Sequence, residues 1–430
     1  MNSLFSPMNA GTHAVKAKQC RCCGNPLKTT VVDLGMSPLC ESFRAPEQLD
    51  TVEYHYPLHL LICDECFLVQ ISEYVSCESI FSEYAYFSSY SSSWVAHAKA
   101  YCEKISERLG LTEKSLVVEI ASNDGYLLQH FLPMNIPVLG IEPAANVAAV
   151  AIDKGIPCRV AFFGSGLAEE LVAEGLRADL IVANNVLAQV PELIDFVTGI
   201  STLLAPEGVA TFEFPHVIEL IDNNQFDTIY HEHFSYFSLA AIDALAKQCG
   251  LRVIDVEELP THGGSLRVYL TRIESSRPIS EAVDKMRLRE AAWGVRDLAS
   301  YAQFAEKVAR LKRDLLRLLI DAKDAGKTIC GYGAPGKGNT LLNYCGIGRD
   351  LISFTVDRNP YKHGRYTPGM HIPILPVEAI DAAKPDYIVI VPWNLTSEII
   401  AQMSHVTSWG AKFIVPIPEP TILDPREFQQ

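Results

Sequence analysis

Short apolar runs punctuated by glycine, proline and asparagine alternate with amphipathic stretches over most of this chain. In its middle, Ser115 to Ile120 reads as a strand, Gly125 to Phe131 as a helix, Pro137 to Ile141 as a strand and Ala145 to Lys154 as a helix. A strand from Leu180 to Ala183 and a helix from about Pro191 to Leu204 continue the alternation. This β-α-β-α order predicts a parallel, doubly wound sheet. An amphipathic helix from about Ser93 to Leu109 precedes it, behind an aromatic and serine-rich stretch from Phe81 to Tyr90. The alternation resumes at Thr328–Tyr332, Ile352–Val356, Ile388–Val391 and Phe413–Val415, which predicts a second Rossmann-like domain. Between the two, Ser275 to Leu319 is helical and rich in charge: Arg287, Arg289, Glu290, Arg296, Lys307, Arg310, Lys312 and Arg313. A solvated helical connector accounts for that run better than a polyanion site. Near the start, Tyr56 to Ile62 reads as a further strand.

With 430 residues the chain exceeds what one core usually supports, so two to four domains are expected. Its 48% hydrophobic and 20% charged residues are those of a globular protein. A formal net charge of -15 argues against a general nucleic-acid binder, and an anionic ligand must then be held by a local site. No apolar run approaches the roughly 20 residues of a membrane span, and the residues before about Lys18 lack the apolar core of a signal peptide. The expected location is the cytoplasm, with no membrane and no obligate protein partner.

Twelve cysteines without an export signal point to metal ligation or burial rather than disulfides. Four of them form two CxxC knuckles, Cys20-Arg21-Cys22-Cys23 and Cys63-Asp64-Glu65-Cys66, the second delivered by the strand Tyr56–Ile62. Each knuckle puts two thiolates on one side of a tight turn, and two pairs complete the tetrahedral sulfur shell that zinc accepts. Four thiolates leave no open position, so a structural Zn2+ on Cys20, Cys23, Cys63 and Cys66 is expected. Iron would also fit four thiolates, buried free cysteines are the bland alternative, and Cys22, His55 and His59 lie off the paired spacing.

The turn after the first central strand, Glu119-Ile120-Ala121-Ser122-Asn123-Asp124-Gly125, brings backbone close to a ligand. Glu142, 17 residues after Gly125, ends the next strand where a carboxylate can hold two ribose hydroxyls. Such a site can serve NAD, S-adenosylmethionine (SAM) or no ligand. Two details favour SAM. The turn carries Glu119, Ala121, Asn123 and Gly125 rather than the GxGxxG that approaches a pyrophosphate, and Asn184 and Asn185 lie beyond a later strand tip. The candidate cofactor residues are therefore Glu119, Ala121, Ser122, Asn123, Asp124, Gly125, Glu142, Asn184 and Asn185.

Further clusters carry candidate chemistry. Tyr230-His231-Glu232-His233 admits a catalytic, a metal-binding or a structural reading on its own. Thr261-His262-Gly263-Gly264-Ser265 offers a glycine turn with exposed donors, or an ordinary β turn. In the third segment, Gly331 to Thr340 puts free amides, Lys337 and Asn339 at a helix start, a diphosphate cradle whose spacing differs from a Walker A loop. Arg358, Lys362 and Arg365 follow a strand near the same sheet edge, either as phosphate ligands or as a solvated loop.

Taken in order, the two knuckles, VVEIASNDGYLL, GIEPAANVA, FEFPHVIELIDNNQFDTIYHEHFSYFSL, THGGSLRVYL and GYGAPGKGNTLLNY resemble the sugar C-3 methyltransferases of deoxysugar biosynthesis, from Cys20 to about Pro418. The resemblance implies an α/β fold: a zinc-binding domain (residues 1–75), a Rossmann-like SAM domain (76–275), a helical connector (276–325) and a Rossmann-like domain that helps hold the nucleotide sugar (326–430). It implies SAM as cofactor and a dTDP- or GDP-linked 4-keto-6-deoxy sugar as substrate, methylated at C3 beside the ketone. By position His233 matches the family's general base, and Tyr230 and Glu232 its polar neighbours. Tyr84 and Tyr86 both fit a tyrosine that the family places near cofactor and substrate. His262, Gly263, Lys337, Asn339, Arg358, Lys362 and Arg365 are the candidate substrate contacts. Where the family often has a histidine, between Asn185 and Pro191, this chain has Gln189, which can hydrogen-bond but cannot shuttle a proton. An NAD-dependent nucleotide-sugar oxidoreductase, a non-catalytic ligand sensor and an O-methyltransferase are the alternatives.

Overall fold

Apolar strands too short to be stable alone assemble here into three sheets, in a computed structural model that describes residues 18–75 and 88–428. In chain order the first three strands are β1 (Thr29–Ser37), β2 (Tyr56–Ile62) and β3 (Val69–Ile71). They pair antiparallel, with Thr29 opposite Ile62 and Leu60 opposite Ile71. Alternation along β2 puts Leu58, Leu60 and Ile62 on one buried face.

Helix α1 (Ser92–Leu109) opens the central region, its first turn capped by the Ser91 hydroxyl, which accepts the Trp94 amide, and its end marked by a left-handed Gly110. Then follow β4 (Val117–Ile120), β5 (Val138–Ile141), α2 (Ala145–Asp153), β6 (Cys158–Arg159), α3 (Ser165–Ala173), β7 (Ala178–Asn184), α4 (Leu193–Leu203) and β8 (Leu204–Pro215). Next come α5 (Val217–Asp222), β9 (Ser235–Tyr236), α6 (Leu239–Gln248), β10 (Leu251–Leu259) and β11 (Ser265–Arg272). The seven-stranded sheet has the order β10-β11-β8-β7-β4-β5-β6. Its pairings from β8 to β6 are parallel, and β11 and β10 extend it antiparallel. β9 leaves that sheet and pairs with β3 as the fourth strand of the N-terminal one.

After α7 (Glu281–Trp293) and α8 (Phe304–Asp324) the chain forms β12 (Ile329–Tyr332), α9 (Gly336–Cys345), β13 (Thr355–Val356), β14 (Ile374–Leu375), α10 (Ala379–Ala383), β15 (Tyr387–Ile390), α11 (Thr396–Gln402), β16 (Lys412–Val415) and β17 (Thr421–Leu423). This sheet runs β14-β13-β12-β15-β16-β17 and is parallel except for β17. Among the described residues no helix is long and apolar enough to cross a membrane.

Two expectations need correction. No α-helix spans Gly125 to Phe131; that stretch ends in consecutive 3-10 turns at Leu128–His130 and Leu132–Met134. A left-handed Gly125 on one side and Pro133, which lacks an amide hydrogen, on the other leave too short a span for cooperative helix growth. The connector is helical but not merely solvated. α8 buries Phe304, Val308, Leu311, Leu315 and Leu319 in a core shared with Leu58 and Leu60 of β2, Leu341 of α9 and Val389 of β15. Its charges occupy the opposite face, where Arg313 pairs with Glu306 and Arg317 with Asp314. In α7, Glu290 is 1% exposed and accepts the Leu239 and Ala240 amides that begin α6, at 2.6 and 2.8 Å, and meets His216 Nε2 at 2.9 Å.

Because that one stripe of α8 joins the N-terminal sheet to the C-terminal one, Leu315→Ala should cost about 3 kcal/mol, read as a lower denaturant midpoint of the whole chain. A midpoint within error of the parent would show that the stripe does not bind the sheets together.

Candidate active site and zinc centre

The two knuckles close on each other. All four sulfurs of Cys20, Cys23, Cys63 and Cys66 lie within 4.8 Å of one another, with Cys20 to Cys66 at 3.4 Å and Cys23 to Cys63 at 3.5 Å. Zinc–sulfur bonds of about 2.3 Å in a tetrahedron require sulfur separations of roughly 3.8 Å, so the shell fits zinc with small adjustments. A left-handed Gly24 and Phe67 turn the two knuckles, and Gln70 Nε2 donates to the Cys20 sulfur at 3.2 Å. Cys22 is not one of the four but lies beside Cys66 and receives Gln248 Nε2, and His59 is held by Thr30 and Lys18. Cys66→Ser should lower bound zinc well below one per chain by metal analysis and lower the melting temperature; full zinc retention would mean another ligand set.

The central cradle lies at the tips of the parallel strands. Ala121, Asn123 and Gly125 all have positive φ, and a Cβ on Gly125 would lie 2.3 Å from Ile156 Cδ1, so the turn tolerates no side chain there. Glu142 at the end of β5 accepts the Asn123 and Ala144 amides, each at 2.9 Å, and so fixes the turn. Burial raises its pKa, and those two amides oppose the rise. Asn123 Oδ1 in turn accepts the Ser88 amide at 2.9 Å. Lys154 at the end of α2 donates to the Asp124 carbonyl at 2.7 Å. Glu119 Oε2, Asp124 Oδ1, Asn184 Oδ1 and Asn185 Nδ2 are buried without a hydrogen-bond partner among the described residues. Buried polar atoms left unpaired cost stability, so this concentration at the tips of β4 and β7 fits a polar ligand that satisfies them. Among the described residues no glycine-rich pyrophosphate turn faces them, and the one cation beside them, Lys154, is taken up by Asp124 at 3.4 Å, which suits a cofactor without phosphates.

Beyond β7 the chain is tied to the histidine cluster. Phe234 N donates to the Ala188 carbonyl at 2.7 Å, beside Gln189. Residues 230–234 are a turn rather than a strand, with His233 N donating to the Tyr230 carbonyl at 3.0 Å. That turn separates the two histidines. His231 is buried against Tyr56, its Nε2 3.3 Å from the Pro57 carbonyl, whereas His233 Nε2 lies 2.8 Å from the Tyr230 hydroxyl. Burial pushes the His233 pKa down to about 3, and the neighbouring His262 adds to the fall. Glu232 is 6% exposed and accepts the Cys40 thiol at 3.4 Å. Burial first, then the charge of Glu41, push its pKa up to about 7.

The C-terminal sheet supplies the opposite wall. Lys337 at the start of α9 lies over the Trp393 ring at 4.2 Å and bonds Asn394 Oδ1, while Trp393 Nε1 donates to Asp227 at 2.7 Å. Gly263 has φ +89, and a Cβ there would lie 2.6 Å from Trp393, so this turn and the C-terminal sheet meet closely. His262 packs edge-on against Trp94 of α1 at 5.4 Å. Behind it, the buried Glu213 of β8 accepts Thr261 Oγ1 at 3.0 Å and Arg267 Nη2 at 2.5 Å, and its carbonyl takes the Asn185 amide at 2.7 Å. Thus His233 neighbours His262, His262 neighbours Lys337, and Glu213 joins the His262 turn to Asn185 of the cradle.

Other expected contacts lie elsewhere. Asn339 is buried and donates to the Cys40 carbonyl at 2.6 Å, which joins two parts of the fold rather than facing a ligand. Lys362 turns inward to the Ala334 carbonyl at 2.8 Å, Arg358 pairs with Glu398 at 3.4 Å on the surface, and Arg365 is exposed. The three cations therefore do not converge. Tyr84 and Tyr86 lie outside the described residues. Cys40, Asp227, Glu213 and Trp393 were not anticipated. Asp227, close before Tyr230, and Trp393, at a strand tip, carried a positional signal, whereas Cys40 carried none.

A cradle of this kind defines the class of SAM-dependent methyltransferases. Family models described as "Putative zinc binding domain", "Methyltransferase domain" and "C-methyltransferase C-terminal domain" match residues 20–81, 94–256 and 260–418. The chain is 36% identical over 405 residues to the C-methyltransferase NovU of Streptomyces niveus, spanning 94% of this chain and 96% of that one. The chain belongs to the SAM-dependent C-methyltransferase family, with SAM as cofactor and zinc at the four cysteines. Among solved structures, a SAM-dependent methyltransferase from Clostridium acetobutylicum is 13% identical with a TM-score of 0.33, over 40% of this chain and 90% of its own. The magnesium protoporphyrin IX methyltransferase of Synechocystis with bound SAM is 14% identical with a TM-score of 0.31, over 42% of this chain and 81% of its own.

Proposed function

We propose that the protein methylates C3 of a nucleotide-linked 4-keto-6-deoxy sugar, in the biosynthesis of deoxysugars, with His233 as the base. The observation that carries the reading is the Tyr230–His233 pair at 2.8 Å, on a turn bonded to the loop after β7 and beside His262, itself a neighbour of Lys337. Methylating carbon needs a carbanion equivalent, and a 4-ketone makes the adjacent C–H acidic once its oxygen is stabilised as an enolate. The other ring nitrogen of His233 faces the Thr228 carbonyl. A carbonyl only accepts, so that nitrogen carries the hydrogen and Nε2 holds the free electron pair. Nε2 takes the C3 proton. For this the Tyr230 hydroxyl first turns from the ring to the ketone oxygen, which frees the Nε2 electron pair and leaves the hydroxyl donating to the enolate oxygen as it forms.

A conjugate acid near pKa 3 makes His233 neutral at physiological pH but weakly basic. The negative charge that develops on the enolate a few ångströms away raises it as the proton moves. Bound SAM supplies an electrophilic sulfonium methyl. Glu232 keeps its proton up to about pH 7 and, as a neutral acid, is a second donor toward the sugar oxygens. Lys337, which neighbours His262, is the cation assigned to a dTDP or GDP diphosphate. Membership of a C-methyltransferase family favours carbon over the O-methyl, nicotinamide and sensor alternatives.

The test is to incubate the protein with carbon-13-methyl SAM and a panel of nucleotide 4-keto-6-deoxy sugars and to locate the label by NMR. Label on C3 is expected. Because a 4-ketone acidifies C5 as well, label on C5 would overturn the regiochemistry, and label on oxygen the enolate step. His233→Ala should bind SAM with unchanged affinity yet fail to exchange deuterium from solvent into C3; continued exchange would place the base elsewhere. Since the protonated form of Glu232 is lost as pH rises through about 7, kcat should fall above that pH. Glu232→Gln, which keeps a donor without a titrating group, should remove that fall, and its persistence would assign the limb to another residue.

A further inference from the structure

Arg21 sits between Cys20 and Cys22 in the first zinc knuckle, but its side chain leaves the metal and reaches the active-site loops. Nη1 donates to the Ile71 carbonyl at 2.7 Å and the Phe234 carbonyl at 2.9 Å, and Nε to the Pro191 carbonyl at 3.2 Å. The guanidinium also lies over the Phe234 ring at 5.3 Å. Those carbonyls belong to three separate segments: the end of β3, the turn that bears His233, and the loop after β7 that carries Asn185 and Gln189. On the knuckle side, the Arg21 amide donates to Gln70 Oε1 at 3.0 Å, and the same Gln70 side chain donates to the Cys20 sulfur.

A planar guanidinium with five fixed donors can hold several carbonyls in one arrangement, whereas an ammonium on a flexible stem does not impose it. All three acceptors are uncharged carbonyls that fix its direction, while the charges of Glu73 and Glu192 support the buried cation. The local fold has other supports. Phe234 keeps its carbonyl bonded to the Ile71 amide at 3.0 Å and its own amide bonded to Ala188, so loss of Arg21 loosens the loops without dismantling the sheet.

We infer that Arg21 is a positioning residue for methyl transfer, the link through which the zinc knuckle sets the spacing between the His233 turn and the cofactor loop. The inference rests on the reading that these two loops carry the reacting groups. Misplacement of such groups by about 1 Å can cost 100-fold in rate. Arg21→Ala should therefore keep one zinc per chain and its affinity for SAM, while kcat falls on the order of 100-fold with KM little changed. Added guanidinium ion should restore part of kcat, because the vacated space is lined by the same three carbonyls, and Arg21→Lys should fall between parent and Arg21→Ala. In protein with nitrogen-15-labelled histidine, the His233 ring signal that reports its bond to Tyr230 should shift in Arg21→Ala, a readout that needs no acceptor sugar. Parental kcat with an unmoved ring signal, or a kcat that falls only in step with lost zinc and is not rescued, would overturn the inference. If Arg21→Ala loses its metal, Arg21→Lys is judged by the same comparison. His233→Ala serves as the control: parental turnover in that variant would overturn the reading of the loops, whereas an inactive His233→Ala beside a fully active Arg21→Ala would overturn the role of Arg21 alone.

Discussion

The active site depends on a strand of two residues. Ser235 and Tyr236 leave the central region and pair with Gln70 and Val69, so the turn that carries His233 is anchored at the edge of the N-terminal sheet. Backbone pairing of this kind is directional, and a shift of one residue would exchange the faces of every side chain along it. The zinc shell therefore bears on the position of the His233 turn although it offers no open coordination position. It sets β2 and β3, which set β9, which sets the turn. An N-terminal segment too small to hold a large core alone gains its rigidity from the metal and from the apolar stripe of α8.

The cleft shows the opposite balance. Glu119, Asp124, Asn184 and Asn185 leave polar atoms buried and unpaired at the strand tips, an arrangement that costs stability until a ligand completes it. Glu232 and His233 are neighbours in sequence yet are displaced in opposite directions by the same burial, the acid upward and the base downward, because burial opposes charge of either sign. His233 is thereby neutral at pH 7, and Glu232 keeps a proton up to about that pH. Elsewhere buried charges meet partners. Glu213 with Arg267, and Glu290 with His216 and two helix amides, fix the framework around the site.

The central and C-terminal sheets approach each other through small and flat groups. Gly263 lies against Trp393, Trp393 bonds Asp227, and Lys337 lies over the same indole. Any β-carbon at Gly263 would push this wall back. The glycine pair that reads locally as a turn thus also controls how near the third sheet comes to the histidines. In the same way Asn339, in the first turn of α9, ties that helix to the Cys40 carbonyl.

Local chemistry was legible in the sequence wherever neighbouring residues decide the outcome. Two CxxC pairs can present four thiolates, an acid and an asparagine around Gly125 can make a strand-tip turn, and short apolar runs between turn residues can only become strands; each of these is visible without any partner. Gly125 to Phe131 misled because its apolar pattern resembles a helix, while the flanking left-handed glycine and proline decide otherwise. The charged run of the connector misled in a different way: the charges are a solvated face, but the leucines between them face a core whose other half lies hundreds of residues away in the chain. What tertiary structure alone decided is which distant groups meet. Cys40 beside Glu232, Gly263 beside Trp393, Arg21 across the His233 turn and the inward turn of Lys362 are contacts between segments far apart in sequence. No periodicity encodes them, because they follow from how three sheets pack, and packing is a property of all their faces at once.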